Sequence, residues 1–151
     1  MRSITFCALF IITLLSFNAQ AQETLLYSSP QSSLDYSLVG KPTKAGSLSE
    51  GWVKVINTNK PTLKNNLTNF RASRIETREN NKQSTKGYDK YLYSMNLYQV
   101  DCKTNRFHIV EVSDYDEAGT LLSNEKTPDT EWNDLVAGTL FENIVSAICG
   151  K

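Results

Sequence analysis

Two cysteines constrain the fold of this chain more tightly than any other feature of its sequence. The 151 residues include three cysteines, and the first, Cys7, lies in a segment that is removed if the chain is exported. Cys102 and Cys149 then remain, and an even pair of cysteines in an oxidising compartment predicts a disulfide. Closing a loop of this length would stabilise the fold by roughly 4 kcal/mol through chain entropy. Two free, buried cysteines are the alternative that the sequence leaves open.

Residues 1–21 have the pattern of a signal peptide. A basic residue precedes an apolar run over residues 4–17, and Ala19 and Ala21 stand where signal peptidase requires small residues. The run is shorter than the roughly 20 residues that a membrane-spanning helix needs. No small-residue lipidation signal precedes Cys7, so a lipoprotein is not expected. The sequence therefore predicts cleavage after Ala21 and a mature protein in the periplasm, at the cell surface or outside the cell, without a transmembrane segment.

The size and charge of the mature chain limit what it can do. A chain of about 130 residues forms one domain with one core. Its composition divides it into an extended, loop-rich N-terminal segment over residues 22–50 and a core over residues 51–151. The 16 basic and 16 acidic residues balance, which argues against nucleic acid as a partner. Basic residues concentrate in residues 61–90 and acidic residues in residues 111–142, and such local charge can still attract a partner.

Alternating apolar residues separated by turn residues predict a series of strands. The strongest signal is a hairpin whose strands cover residues 91–102 and 106–115. The weaker signals predict short strands at residues 36–41, 52–57 and 120–123, an edge strand at 70–77, and an exposed, mobile loop at 78–87. Successive strands joined by tight turns form an antiparallel meander.

The last segment of the chain predicts a helix that covers this sheet. Thr139 and Glu142 have the spacing of a capping box, in which both side chains bind backbone N–H groups at the start of a helix. Gly150 stands where the end of that helix is expected. The apolar stripe at helical spacing consists of Leu140, Phe141, Ile144, Val145 and Ile148. The predicted fold class is α+β: an antiparallel meander with a C-terminal helix on one face, joined to a strand end by the Cys102–Cys149 disulfide.

Most of the residue types that catalytic sites need are missing or badly placed. The single histidine, His108, lies in mid-strand, and no G-x-S-x-G turn, phosphate loop or zinc-ligand spacing is present. Residues 114–125 match a calcium loop at four positions, but Ala118 stands where a further ligand is needed. A small secreted hydrolase with an acidic pair is still open, although no spacing selects the pair. We therefore expect a non-enzymatic protein without metal or cofactor.

Several short motifs follow one another in an order that is typical of a known family. They are Trp52-Val53-Lys54-Val55, Val100-Asp101-Cys102, Arg106, Tyr115-Asp116-Glu117-Ala118-Gly119, Trp132 and Ile148-Cys149. Over residues 51–149 this order resembles the surface-adhesin protein E-like family of Gram-negative bacteria. The resemblance implies an antiparallel sheet and a C-terminal helix tied by the two cysteines. It also implies structural roles for Trp52, Cys102, Tyr115, Gly119, Trp132 and Cys149.

The resemblance further implies a non-catalytic surface protein that binds host matrix proteins and tends to form homodimers. For the binding site, the residues offer a basic stretch that could face a sulfated glycan or an acidic patch on a protein partner. This basic stretch consists of Arg71, Arg74, Arg78, Lys82 and Lys86.

Other interpretations of these features stay open. A solubilising loop is the plainer interpretation of the basic stretch. Exposed strand tyrosines are a second set of anchors for a partner: Tyr88, Tyr91, Tyr93 and Tyr98. The alternative function is a periplasmic accessory or inhibitor protein that binds another envelope protein.

Overall fold

The computed structural model describes residues 21–29, 31–58, 66–128 and 131–151, so nearly all of the predicted signal peptide lies outside the described residues. The described residues form seven strands and two α-helices. The strands are β1 (Glu23–Ser28), β2 (Leu34–Ala45), β3 (Leu48–Asn57), β4 (Tyr91–Asp101), β5 (Arg106–Asp116), β6 (Leu121–Lys126) and β7 (Asn133–Asp134). The helices are α1 (Asn66–Asn80) and α2 (Leu140–Cys149), and a 3₁₀ turn covers Tyr88–Lys90.

The sheet is the antiparallel meander that the sequence predicts. Strands β1 to β6 lie in chain order, and β4 and β5 form the predicted hairpin from Tyr91 opposite Asp116 to Asp101 opposite Arg106. The two-residue β7 pairs with β5 at its other end from β6. Because side chains alternate along each strand, the sheet has two faces. Both helices lie on one of them, here called the helix face, and the other is called the open face.

Helix α2 covers the β1–β4 part of the helix face. Ile144 and Ile148 are fully buried there with Val53 of β3 and Val100 of β4. At the start of α2, the ring of Phe141 stacks on Phe107 of β5 at a centroid distance of 4.9 Å. The predicted position of the C-terminal helix is therefore confirmed.

The disulfide Cys102–Cys149 joins the end of β4 to the last residue of α2, with the two Cα atoms 5.7 Å apart. The helix also ends where predicted, since Gly150 has a left-handed backbone and its N–H bonds the Ser146 carbonyl. These two contacts fix the C-terminal end of α2.

The predicted capping box at the other end of α2 is wrong in its details. The Thr139 hydroxyl donates to the carbonyl of Val136 at 2.7 Å instead of accepting an N–H group of the helix. The carboxylate of Glu142 accepts the N–H of Gly138 at 2.7 Å, one residue earlier than a capping box requires. Both side chains thus fix the turn that leads into α2.

Helix α1 corrects the prediction for the middle of the chain. The edge strand expected at residues 70–77 is helical, and Arg78, expected in a mobile loop, lies in the last turn of α1 and is only 5% exposed. The helix carries arginines on the side that faces the sheet, so it lacks the apolar stripe by which an amphipathic helix is recognised.

The N-terminal segment contributes more to the sheet than the one short strand predicted at residues 36–41. Strand β2 has 12 residues and pairs with both β1 and β3. Leu26 and Tyr36 pack against the core beneath α2. The strands of this segment are hard to predict from composition, because a sheet that faces water on one side needs apolar residues on its other side only.

Gly51 lies close beneath α2, and it gives a test of this packing. A Cβ at Gly51 would lie 2.8 Å from Cγ1 of Ile148 and 3.2 Å from Cδ1 of Leu38. We expect Gly51→Ala to lower the free energy of unfolding by about 1–3 kcal/mol through overpacking, measured by urea denaturation. In an Ile148→Ala background, which removes both Cγ1 and Cδ1 of Ile148, the cost should be smaller. Equal costs in the two backgrounds would contradict the contact.

Candidate functional site

Three arginines hold helix α1 on the sheet. They stand three and four residues apart, which places them on one side of the helix. Their ion pairs are Arg71–Glu117, Arg74–Asp114 and Arg78–Glu125, with N–O distances of 2.7 Å in the last two. Arg71 also donates from Nε to the carbonyl of Tyr91 at 2.8 Å. Charge-assisted hydrogen bonds thus hold α1 on the sheet, beside one aromatic contact, the ring of Phe70 stacked on Tyr91 at 5.0 Å.

Asp114 is fully buried at the centre of this contact. Its Oδ2 accepts hydrogen bonds from Nε and Nη2 of Arg74, at 3.0 and 2.7 Å, and from the Tyr88 hydroxyl at 2.8 Å. Its Oδ1 accepts from the Ser94 hydroxyl at 2.6 Å, which in turn lies 2.6 Å from the hydroxyl of Tyr91. One carboxylate therefore connects α1, the 3₁₀ turn, β4 and β5.

The protonation of this cluster suits a structural role. Burial raises the pKa of Tyr88 and of Tyr91 to about 12 each, so both phenols are neutral at physiological pH. Burial opposes the charge of Arg74, but the neighbouring Asp114 outweighs it and raises the pKa of the guanidinium. Neutral phenols and a charged guanidinium are the forms in which these groups hold α1 in place by donating to Asp114 and Ser94.

The structure divides the predicted basic stretch into two parts. Arg71, Arg74 and Arg78 come together beneath α1, where sheet carboxylates bind their guanidinium groups. Lys82 and Lys86 lie beyond the end of α1, are exposed, and have no acidic partner among the described residues. Of the five residues of the stretch, these two are therefore the exposed ones without an ion pair in the described parts of the chain.

The connection that carries the two lysines is held in place at several points. Lys82 has a left-handed backbone (φ 57°), and its N–H bonds the Glu79 carbonyl at 2.9 Å. Arg78 donates from Nε to the carbonyl of Ser84 at 2.7 Å. The amide of Gln83 reaches Glu125 of β6 at 3.0 Å. The predicted mobile loop is thus fastened to α1 and to the sheet.

The acidic residues of the calcium-like pattern point in different directions. Asp114 and Glu125 bind arginines of α1 on the helix face. The carboxylate of Asp116 accepts the N–H groups of Ala118 and Thr120 in the β5–β6 turn, which lowers its pKa. Each carboxylate thus has its own structural partner, and the pattern is that of a turn.

Of the four tyrosines proposed as anchors, three are buried. Tyr88, Tyr91 and Tyr98 are at most 3% exposed, and burial raises the pKa of Tyr98 to about 12. Tyr93 is half-buried on the open face, where its ring stacks on Tyr115 at 4.9 Å. Three of these side chains therefore belong to the interior.

Besides the two cysteines, the resemblance assigns structural roles to four residues, three of them aromatic side chains on the open face. Tyr115 forms the stack with Tyr93, and Gly119, with φ 77°, closes the β5–β6 turn. Trp52 lies opposite Leu97 in the β3–β4 register. Trp132 covers His108, with the two ring centroids 4.4 Å apart.

Helix α1 is the feature that sequence reasoning missed. The signal that could have revealed it is the spacing of the arginines, which repeats every three to four residues while acidic residues cluster later in the chain. Complementary charge on a helix side and on a sheet is a packing pattern that hydrophobic periodicity does not detect.

The sequence model of the surface-adhesin protein E family matches residues 47–150 of the chain. The match covers more than half of the chain, from the turn before β3 to the glycine that ends α2, so the chain belongs to this family. No curated protein and no solved structure gives a significant match.

Membership makes this a surface adhesin-like protein. Over the described ranges, no helix is long and apolar enough to cross a membrane. In the same ranges, no group of three or more histidine, cysteine, aspartate or glutamate side chains is arranged to hold a metal ion.

Replacing the central carboxylate tests how α1 is held. We expect Asp114→Asn to lower the free energy of unfolding by about 3 kcal/mol, because Arg74 loses its buried counter-charge. Urea denaturation followed by circular dichroism measures the loss. The matched control is Glu23→Gln, which removes a carboxylate from the exposed pair with Lys54 and should cost less than about 1 kcal/mol. Similar losses in the two variants would contradict a central role for Asp114.

The buried tyrosines predict a fall in stability at alkaline pH. Tyr91 and Tyr98 ionise at about pH 12 in the folded chain, whereas tyrosine in an unfolded chain ionises near pH 10. The contribution of these two tyrosines to the free energy of unfolding is complete below pH 10. It is lost between about pH 10 and 12, because in that range the unfolded chain releases the phenol protons while the folded chain keeps them. Urea denaturation across this window should show a steep decline, and Tyr98→Phe should reduce the slope by up to about 1.4 kcal/mol per pH unit. An unchanged slope would exclude Tyr98 as a source of the decline.

Proposed function

We propose that this chain is an exported, non-enzymatic binding protein that attaches to sulfated glycans, or to an acidic patch on a host matrix protein, through Lys82 and Lys86. The observation that carries the proposal is the division of the basic stretch. Its arginines are bound to sheet carboxylates, whereas its two lysines are exposed without an acidic partner in the described parts of the chain.

The lysine pair suits an anionic ligand for two reasons. An ammonium group without a carboxylate partner keeps its full attraction for a sulfate, whereas a paired guanidinium must first break its ion pair. The connection between α1 and β4 is also fastened through Arg78 and Gln83. Because its backbone is already ordered, binding costs little additional conformational entropy.

Export is the second part of the proposal. The signal-peptide pattern of residues 1–21 would bring the chain into an oxidising compartment, where Cys102 and Cys149 form the disulfide seen in the structure. Family membership supports a final position at the cell surface.

We assign no catalytic step to this chain. Its one histidine, His108, is 2% exposed and lies 3.1 Å from the side-chain oxygen of Gln99. The most buried carboxylate, Asp114, is bound by Arg74, Tyr88 and Ser94. Neither group is open to a substrate, so the proposal is one of recognition.

The experiment measures binding of residues 22–151 to immobilised heparin, vitronectin and laminin by surface plasmon resonance at low and high salt. We expect saturable binding that weakens as salt screens the lysine charges. Lys82→Gln/Lys86→Gln should weaken binding about tenfold, mainly through a slower association rate.

The matched control is Lys41→Gln/Lys44→Gln, which removes the same charge from two exposed lysines of β2. This variant should bind like the unmodified protein. Equal losses in both double variants would mean that net charge alone drives binding. Absence of binding at both salt concentrations would refute the proposal and favour a periplasmic protein partner.

A further inference from the structure

A small cavity lies at the end of the sheet where β4 turns into β5. Its volume is about 180 Å³. Its lining consists of Leu48, Asp101, Thr104, Arg106 and Trp132. The strand register places Leu48, Asp101 and Arg106 side by side across β3, β4 and β5. An indole, a carboxylate, a hydroxyl and a guanidinium therefore surround one small space.

The indole of this cavity is held in position from behind. Trp132 packs against the buried ring of His108 at 4.4 Å, and its carbonyl accepts a hydrogen bond from Nη2 of Arg106 at 3.2 Å. His108 itself belongs to a polar row on the open face, in which Gln99 bonds both His108 and Glu50 at 3.1 and 2.7 Å. The short strand β7 follows Trp132 directly and pairs with β5. An aromatic ring fixed in this way loses little entropy when a ligand stacks on it.

The charges of the cavity compensate one another. Nε of Arg106 lies 3.1 Å from Oδ1 of Asp134, and the arginine side chain is 47% exposed, so its other N–H groups are accessible. The carboxylate of Asp101 accepts the backbone N–H groups of Lys103 and Thr104, which lowers its pKa and keeps it ionised. The cavity thus offers hydrogen-bond donors and acceptors in fixed positions without a large net charge.

We propose that this cavity binds one neutral pyranose ring of a glycan. The C–H side of the sugar would stack on Trp132, and its hydroxyl groups would bond the Asp101 carboxylate, the Thr104 hydroxyl and the Arg106 guanidinium. The volume supports a single ring, because it is smaller than the roughly 300–1,000 Å³ of sites for drug-sized molecules.

The same groups disfavour two other ligand classes. A sulfated sugar needs an uncompensated cation, whereas Arg106 already lies beside Asp134. A quaternary ammonium needs several aromatic faces without a nearby cation, whereas Trp132 is the one aromatic residue among the lining residues and Arg106 stands next to it. A polyhydroxylated neutral ligand fits the donors, the acceptors and the ring together.

This site is independent of the lysine pair and makes a different prediction about salt. Binding of a neutral ring should be unchanged between low and high salt, whereas binding at Lys82 and Lys86 should weaken. If salt-independent binding is not observed, the proposal for the lysine pair still stands. If salt-dependent binding is not observed, the proposal for the cavity still stands.

The test uses residues 22–151 with Trp52→Phe, which leaves Trp132 as the single tryptophan. Its fluorescence is titrated with the methyl glycosides of glucose, galactose, mannose and N-acetylglucosamine. We expect at least one of them to give a saturable, salt-independent change, with a dissociation constant on the order of 1–10 mM for a ligand of about a dozen heavy atoms. Failure of all four to saturate would overturn the proposal.

Variants then locate the binding site by saturation-transfer NMR. Trp132→Ala should abolish the signal. Thr104→Val, which leaves the contacts of the indole intact, and Arg106→Gln should each weaken binding severalfold. Thr43→Val, at an exposed threonine of β2 outside the cavity, is the matched control and should bind normally. Circular dichroism checks that each variant is folded. If Trp132→Ala does not fold, the Thr104 and Arg106 variants alone test whether the cavity is the binding site. Undiminished binding in both of these variants, or saturation only by a heparin disaccharide or choline, would refute the assignment.

Discussion

The buried carboxylate of Asp114 is the interaction on which the α1 side of this protein depends. A buried charge is strongly destabilising unless it is paired and hydrogen-bonded, and Asp114 obtains its partners from three different elements. Arg74 comes from α1, Tyr88 from the 3₁₀ turn and Ser94 from β4. None of these elements can move away without leaving a buried polar group unpaired. The cluster therefore fixes where α1 ends, and with it the position of the connection that follows.

This arrangement decides which residues of the basic stretch are paired and which are exposed. The planar guanidinium groups of α1 match sheet carboxylates and pack along the sheet, whereas the compact ammonium groups of Lys82 and Lys86 stay hydrated at the surface. A stretch that forms one basic patch in the sequence thus contains two kinds of residue: arginines that stabilise the fold and exposed lysines, which we propose as the binding residues. The segment that carries the two lysines is ordered by its hydrogen bonds to Arg78 and Glu125, so the contacts that stabilise α1 also position the lysines for the proposed recognition of anions.

The sheet is a frame that carries the two proposed recognition sites at its two ends. At one end the lysine pair precedes β4, and at the other Trp132 and Arg106 border the cavity beside the β4–β5 turn. Helix α2 and the disulfide Cys102–Cys149 stabilise this second end, since Cys102 follows β4 directly. A rigid scaffold with binding groups on its connections is a common arrangement in recognition proteins.

The sequence by itself determined the β4–β5 hairpin, the apolar helix α2, the pairing of the two cysteines and the family, because each has a local or compositional signal. Strand alternation, a helical apolar stripe and an even cysteine count need no knowledge of distant contacts. Only the tertiary structure decided that residues 66–80 are helical and that Arg71, Arg74 and Arg78 face inward. Their partners Glu117, Asp114 and Glu125 lie about 40 or more residues later, and β-prone residues in α1 favoured a strand locally. Long-range charge pairing overrode that local preference, because Asp114 cannot be buried without a cation beside it.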